Sequence, residues 1–238
     1  MTLCNPIFEF VADGAQLKGP RSEQNDAYAF NPQCLVLADG MGGGYGPGAV
    51  AAQVTAYYES LQPSTPYSGR LEETLRQAPG DLGHTLLGLG LDDGSTVSAA
   101  LLDADGSLWL TNAGDSMSML IRGGELVYRS PLHNATFAGR EGAPPSINPH
   151  SLAKFIAPMR SFTPELVRFT PHESDIVILM SDGIHTKVTK GEVLQIVASE
   201  RLPGSISYEI LARAASKSLK DNATCVVAAI HQTNGHSR

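Results

Sequence analysis

"LVLADGMGGGYGPG", residues 35–48, sets four apolar residues, one aspartate and then six glycines within fourteen positions. With Cys34 in front, the apolar run reads as a buried strand that ends on a carboxylate, Asp39, and then almost abandons side chains. Glycine loses more conformational freedom on folding than any other residue. A cluster of it is kept where the backbone takes unusual dihedrals or passes close to something. A phosphate, a metal ion or another stretch of backbone would each suit.

The other aspartates narrow the choice. Asp-Gly occurs at residues 13, 39, 93, 105 and 182, and its ordinary reading is a turn. Asp105-Gly106, between LLDA and SLWL, is a hairpin turn, and Asp13-Gly14 and Asp93-Gly94 read as turns too. Asp39 and Asp182 differ, because each closes an uninterrupted apolar run, CLVLA and IVILMS. Asp221 opens the apolar run ATCVVAAI, and Asp115 closes SLWLTNAGD. Four carboxylates thus fall at the ends of buried strands, with few Lys or Arg close in sequence. An unpaired buried carboxylate costs several kcal/mol, so buried charges are normally paired or bound to metal. Converging carboxylates suit hard cations such as Mg²⁺ or Mn²⁺, which prefer oxygen ligands and retain waters.

Outward from these points the chain reads as a single α+β domain over 1–238. Strand signals cover 7–12, 27–30 and 34–38, and an alanine-rich helix covers 49–61. A second helix, interrupted at Pro79-Gly80, covers 71–87, followed by strands in STVSAALLD, SLWLTNAGD, MSMLIR and ELVYRS. Residues 133–164, rich in Pro, Gly, Ser and Asn, form a long irregular excursion of the sort that often covers a functional site. A strand at 176–180, helices near 190–199 and 207–219, and a strand at 223–230 end the chain. Strands adjacent in sequence and joined by tight turns indicate antiparallel sheets, with the helices grouped apart from them.

Composition excludes several classes. With 42% hydrophobic and 17% charged residues, the chain has the make-up of a globular protein with a sizeable core. A formal charge of -7 argues against a nucleic acid partner held on a basic face. Cys4, Cys34 and Cys225 are too few and too scattered for a disulfide framework or a structural zinc site. No signal peptide and no membrane-spanning run is visible, so the expected setting is the cytoplasm, with no membrane association.

Taken in order, "RSEQNDAYAF" (21–30), "LVLADGMGGG" (35–44), "GSTVSAALLD" (94–103), "LWLTNAGDSMSMLIRGGEL" (108–126), "DIVILMSDGI" (175–184) and "DNATCVVAAI" (221–230) resemble one family. It is the metal-dependent type 2C (PPM) serine/threonine protein phosphatases, in their bacterial form. The resemblance implies two stacked antiparallel β-sheets flanked by helices and a binuclear Mn²⁺ or Mg²⁺ site in a cleft at one end. It implies hydrolysis of phosphoserine and phosphothreonine in proteins by a metal-activated water, acting as a monomer on a phosphorylated protein substrate. By position, Asp39 would bridge the two metals and the Gly40 carbonyl would be a ligand, the surrounding glycines leaving room for the approach. Asp182 and Asp221 would hold one metal, and Asp115 with Asp182 a third, weaker one. Arg21 would bind the substrate phosphate, and Asp26 would support the site through water-mediated contacts. A same-fold pseudophosphatase, acting as a binding or regulatory module, is the alternative.

The chain departs from the pattern in places. Asn25 stands where the family carries a glutamate, which lowers the negative charge around the metals. Met117 replaces the arginine that often follows Gly-Asp-Ser, and Met41 stands where eukaryotic relatives have histidine, as is common in bacterial members. The usual Asp-His after the next hairpin reads Leu132-His133. Two rival readings explain less. A serine esterase triad of Ser116, His185 and Asp182 leaves Asp39, Asp221 and the glycines unused. The dinucleotide-like G-x-G-x-x-A at 44–49 lacks alternating βαβ units downstream. His84, His150, His172, His231 and His236 read as solvated, Cys34 and Cys225 as small core residues, and Trp109 as packing.

Overall fold

The computed structural model describes residues 7–44, 46–61, 70–134 and 151–233. Its first part runs β1 (Ile7–Leu17), β2 (Asp26–Asn31), β3 (Cys34–Met41), α1 (Pro47–Ser60) and α2 (Leu71–Gly88). Next come β4 (Gly94–Ser95), β5 (Val97–Leu102), β6 (Leu108–Ala113), β7 (Met117–Arg122) and β8 (Glu125–Arg129). The last part holds β9 (Glu165–Phe169), β10 (Ile176–Met180), the single turn α3 (Asp182–His185), α4 (Lys190–Ser199), α5 (Pro203–Ala215) and β11 (Ala223–Thr233). One sheet has the order β1-β11-β10-β7-β8 and the other β2-β3-β5-β6-β9, with β4 paired to β3. Every pairing is antiparallel. This is the expected α+β sandwich, and it removes the dinucleotide reading, which needs parallel strands.

Two-residue alternation builds the layers. In β3, Leu35 and Leu37 turn toward the other sheet, where Leu110, Leu120, Leu179 and Val226 meet them. Cys34, Val36 and Ala38 turn outward onto Val50, Val54, Tyr58, Leu75 and Leu82 of α1 and α2. The second sheet's outer face (Met119, Ile178, Met180, Cys225 and Val227) packs on Val193, Ile206 and Ile210 of α4 and α5. Cys34 and Cys225 are buried as expected, and burial pushes both thiols far up. Trp109 packs against the α1–α2 layer.

Three local expectations fail for long-range reasons. Asp13-Gly14 is not a turn, because β1 continues through it, pairing Asp13 with Val227 and Gly14 with Val226 along the full length of β11. The α2 helix is not interrupted at Pro79. Its buried stripe of Leu71, Leu75, Ala78, Leu82 and Leu86 runs past the proline, and that packing holds the helix together across the missing hydrogen bond. The end of the excursion leads into a strand that the sequence reading does not mark. Residues Glu165–Phe169 form the edge partner of β6, with Leu110 opposite Val167. Residues 135–150 of the excursion, with His150 and His236, lie outside the described residues.

Candidate metal centre

At one end of the sandwich the inward-facing positions change from apolar to polar. Continuing the parity of Leu35 and Leu37 in β3 gives Asp39, and that of Val177 and Leu179 in β10 gives Ser181. On β11, Val226 is preceded by Thr224, and on β5, Ala100 by Ser98 and Thr96; all of these except Asp39 are buried. Asp26 of β2 lies directly across from Asp39 in the register. Asp115 sits in the tight turn between β6 and β7, Asp182 opens α3, and Asp221 precedes β11. Strand pairing therefore gathers at one rim carboxylates that are up to 195 residues apart, Asp26 and Asp221.

The result is a cleft of about 330 Å³ lined by Arg21, Asn25, Asp39, Gly40, Met41, Asp115, Asp182 and Asp221 among others. All the residues singled out from the sequence except Asp26 reach its wall. Asp26 is buried just behind, its Oδ2 accepting from Thr224 Oγ1 at 2.7 Å. Like charge and burial show in the proton affinities. Burial first, then the charges of Asp26, Asp182, Asp115 and Asp221, hold the Asp39 carboxyl well above the usual range. Burial lifts Asp26 to about 6 and raises Asp182, where Asp115 and Asp221 add to the effect. Arg21 provides the counter-charge, its Nη2 2.5 Å from Asp221 Oδ2.

These residues fit a hard divalent cation. Asp182 Oδ1 and Asp26 Oδ1 are buried with no hydrogen-bond partner, although buried polar atoms almost always have one. The ionisable acids of the wall offer carboxylate oxygens, with neither thiolate nor imidazole in the cleft wall. Among the described residues no three carboxylate, imidazole or thiol groups close into a cage around one point. A cation that keeps several waters and takes one or two carboxylates does not require such a cage.

Three positioning residues escaped the sequence reading. Asp93, whose Asp-Gly step reads as a turn, is buried and accepts from the backbone N–H groups of Gly44 and Gly46 at 3.1 and 3.0 Å. The glycine loop wraps around this carboxylate. A Cβ on Gly42, which has φ +148°, would collide with it. Gly40 is needed for a similar reason, since a Cβ there would overlap the Pro47 carbonyl. The close approach inferred for the glycines is thus, in the first instance, to the protein's own Asp93 and Pro47.

Asn222 is the second. It accepts from Asn25 N–H at 2.8 Å and donates through Nδ2 to the carbonyls of Lys18 and Glu23, tying the Arg21 segment to Asp221. His185 is the third. Its Nε2 donates to the Asp115 carbonyl at 2.6 Å, linking the turn that carries Asp115 to the helix that carries Asp182. This also removes the esterase reading: Ser116 is buried and its Oγ pairs with Thr96 Oγ1 at 2.7 Å, not with His185. Thr96 in turn accepts from the Asp39 N–H, so the Gly-Ser-Thr segment props the central carboxylate. His133 has a structural role, accepting from the Gly114 N–H at its Nδ1.

No protein-family model matches the chain. By sequence it is similar to the serine/threonine protein phosphatase PstP of Mycobacterium tuberculosis, 27% identical over 226 residues, 87% of this chain and 42% of PstP. It is also similar to the probable protein phosphatase 2C member 13, mitochondrial, of Oryza sativa, 27% identical over 159 residues, 59% of this chain and 44% of that protein. The chain spans about half, or less, of the length of these curated relatives. Among solved structures, the catalytic domain of PstP in complex with two manganese ions superposes with a TM-score of 0.76 at 22% identity, covering 95% of this chain and 100% of that one. Stp1 of Staphylococcus aureus gives 0.74 at 22% identity, covering 92% and 94%. At such identities the superpositions show the fold. It is the fold of these bacterial serine/threonine phosphatases, and the plant relatives are named as type 2C phosphatases, the family that the ordered motifs resemble.

Proposed function

We propose that this chain is the catalytic domain of a metal-dependent phosphatase acting on phosphoserine and phosphothreonine in proteins. One observation carries the reading: Asp39, ringed by the charges of four further aspartates, faces a polar cleft with an arginine at its lip. Asp39, Asp182, Asp221 and the Gly40 carbonyl would hold two Mn²⁺ or Mg²⁺ ions, and Asp115 with Asp182 a third. When bound, such ions lower the pKa of a coordinated water toward neutrality and polarise phosphoryl oxygens. The chain's own groups do the rest. The Arg21 guanidinium, exposed and adjacent, matches a phosphate's paired oxygens and orients the ester. Asp26 sits behind Asp39 and holds its place through Thr224. Thr96 props Asp39, His185 holds the turn that carries Asp115, and Asp93 holds the glycine loop beside them.

The names of the relatives support the substrate class, and the two manganese ions in PstP support the metal. The five carboxylates expected from the family pattern are all present at one rim, and nothing observed favours a non-catalytic module. The deciding experiment is hydrolysis of a phosphothreonine peptide with Mn²⁺, with EDTA, and by Asp39→Ala and Asp182→Ala. Turnover is expected with Mn²⁺ alone and in neither variant. Turnover in EDTA, or undiminished in both variants, would overturn the assignment.

A further inference from the structure

A second cavity, of about 140 Å³, lies on the outer face of the β1-β11-β10-β7-β8 sheet, beneath α4. Its floor is three thioethers. Strand register sets Met180 beside Met117, with Met119 two residues along on the same face. Val188 and Val193 close it from the helical side, and all five residues are buried. Methionine gives a soft, adaptable wall that re-forms around different apolar shapes.

The mouth has the opposite character. Arg129, paired across from Met119 in β8, and Lys190, at the start of α4, both line the cavity and both are exposed. Neither has a carboxylate partner among the described residues. Glu192, the nearest acid on α4, is taken by Lys217 and Arg213. A cavity of about 150 Å³ accommodates one benzene ring. An apolar recess of one-ring size below two cations with no carboxylate partner among the described residues fits a ring carrying an anion.

We propose that this cavity binds a small aryl carboxylate, ring among the thioethers and carboxylate at Arg129 and Lys190. His185 lines the same cavity and holds the Asp115 carbonyl. An occupant therefore touches a side chain that positions the carboxylate cleft, and its binding is coupled to that of Mn²⁺.

Phenylacetate is the probe, applied to the full chain with methyl-labelled methionine. Of six methionines, Met117, Met119 and Met180 line the cavity and Met41 lines the carboxylate cleft, while the exposed Met159 serves as an internal control. The three cavity methyl signals are expected to shift saturably with a Kd of about 1 mM, usual for a ligand of this size. Acetate, which lacks the ring, and benzyl alcohol, which lacks the anion, should each bind at least about tenfold more weakly. The surface double variant R129Q/K190Q should weaken phenylacetate by a similar factor. Unmoved cavity signals, equal response to acetate, or undiminished binding by the double variant would overturn the site. The coupling is read by calorimetry. Phenylacetate should change the Mn²⁺ Kd, and Mn²⁺ should change the phenylacetate Kd by the same factor. Independent binding of the two would overturn the coupling while leaving the site standing. This arm rests on Mn²⁺ binding at the cleft, which the metal titration without phenylacetate measures separately.

Discussion

Replacing Asp93 tests whether the glycine loop is held by its own protein rather than by a ligand. Asp93→Ala removes the acceptor for two backbone N–H groups, those of Gly44 and Gly46. A hydrogen bond to a charged group contributes about 1.5–3 kcal/mol net. Two such bonds set an upper limit near 6 kcal/mol, but Gly44 is exposed, so water can replace part of what is lost. The expected loss is about 3 kcal/mol, or roughly 6–12 °C in Tm for a chain of this size. Asp93→Asn keeps one acceptor oxygen but turns an NH₂ group toward the other amide donor, so about 2 kcal/mol should be lost.

Urea denaturation with an unchanged m-value measures the stability term, and hydrogen exchange at the Gly44 and Gly46 amides locates it. Because Met41 and Gly42 line the cleft, phosphatase activity should fall in both variants although no proposed metal ligand has been touched. A stability change within about 0.5 kcal/mol, the range of an ordinary surface substitution, would refute the reasoning. Unaltered exchange at the two amides would refute it as well.

Three further outcomes are expected. Mn²⁺ at about 100 times its Kd should add about 2.7 kcal/mol, raising Tm by roughly 5–10 °C, and Asp182→Asn should abolish most of that rise in a thermal scan. Asp175→Ala should cost about 3 kcal/mol in urea. It removes a fully buried carboxylate that takes Arg122 at 2.7 Å through both oxygens, and Arg122 is itself 31% exposed, which keeps the loss at the low end for a broken buried pair. Glu192 is drawn from its ordinary 4.5 to about 2, chiefly by Lys217 and then by the Thr189 cap. The unfolded chain thus binds this proton more tightly, so the contribution is whole above about 4.5 and is lost as pH falls toward 2; Glu192→Gln should flatten the drop in Tm across that window.

Much of the fold was legible because it is written in two-residue alternation and in the chemistry of strand ends. The bounds of β10 and α4 agree with the sequence reading, since an apolar run is a local signal; the structure adds a Thr189–Glu192 capping box at the start of α4. The carboxylates were legible for a related reason: a charge that closes an apolar run is locally inconsistent, and such inconsistency marks sites. What was not legible depends on partners far away in the chain. Asp93 looks like any Asp-Gly turn until Gly44, 49 residues earlier, is folded onto it. Asn222 is likewise unremarkable until it meets Asn25, 197 residues away. The β9 strand is only five residues long and directly follows the irregular excursion, and it is fixed by the edge that β6 offers it.

The same strand-end placement suits the rim to the proposed cation and costs stability to keep. Five carboxylates share one rim, while Arg21 neutralises Asp221 alone. Nothing in the sandwich core needs these charges, since the inter-sheet layer behind them is filled by leucine, valine and alanine. The remaining charges oppose one another, and burial raises the proton affinities of Asp39, Asp26 and Asp182. A divalent cation relieves that repulsion directly, so the energy held in the crowded rim returns as metal affinity. The Arg21–Asp221 pair is then a competitor for one ligand, and releasing the guanidinium leaves it free for a phosphate. On this view, Arg21→Ala has two opposed effects: it weakens the hold on a phosphoester and removes the competitor for Asp221. Calorimetry should therefore find Mn²⁺ binding at least as tight in Arg21→Ala as in the parent chain, together with a higher KM. Weaker Mn²⁺ binding in that variant would mean that the guanidinium supports the metal centre instead of competing with it.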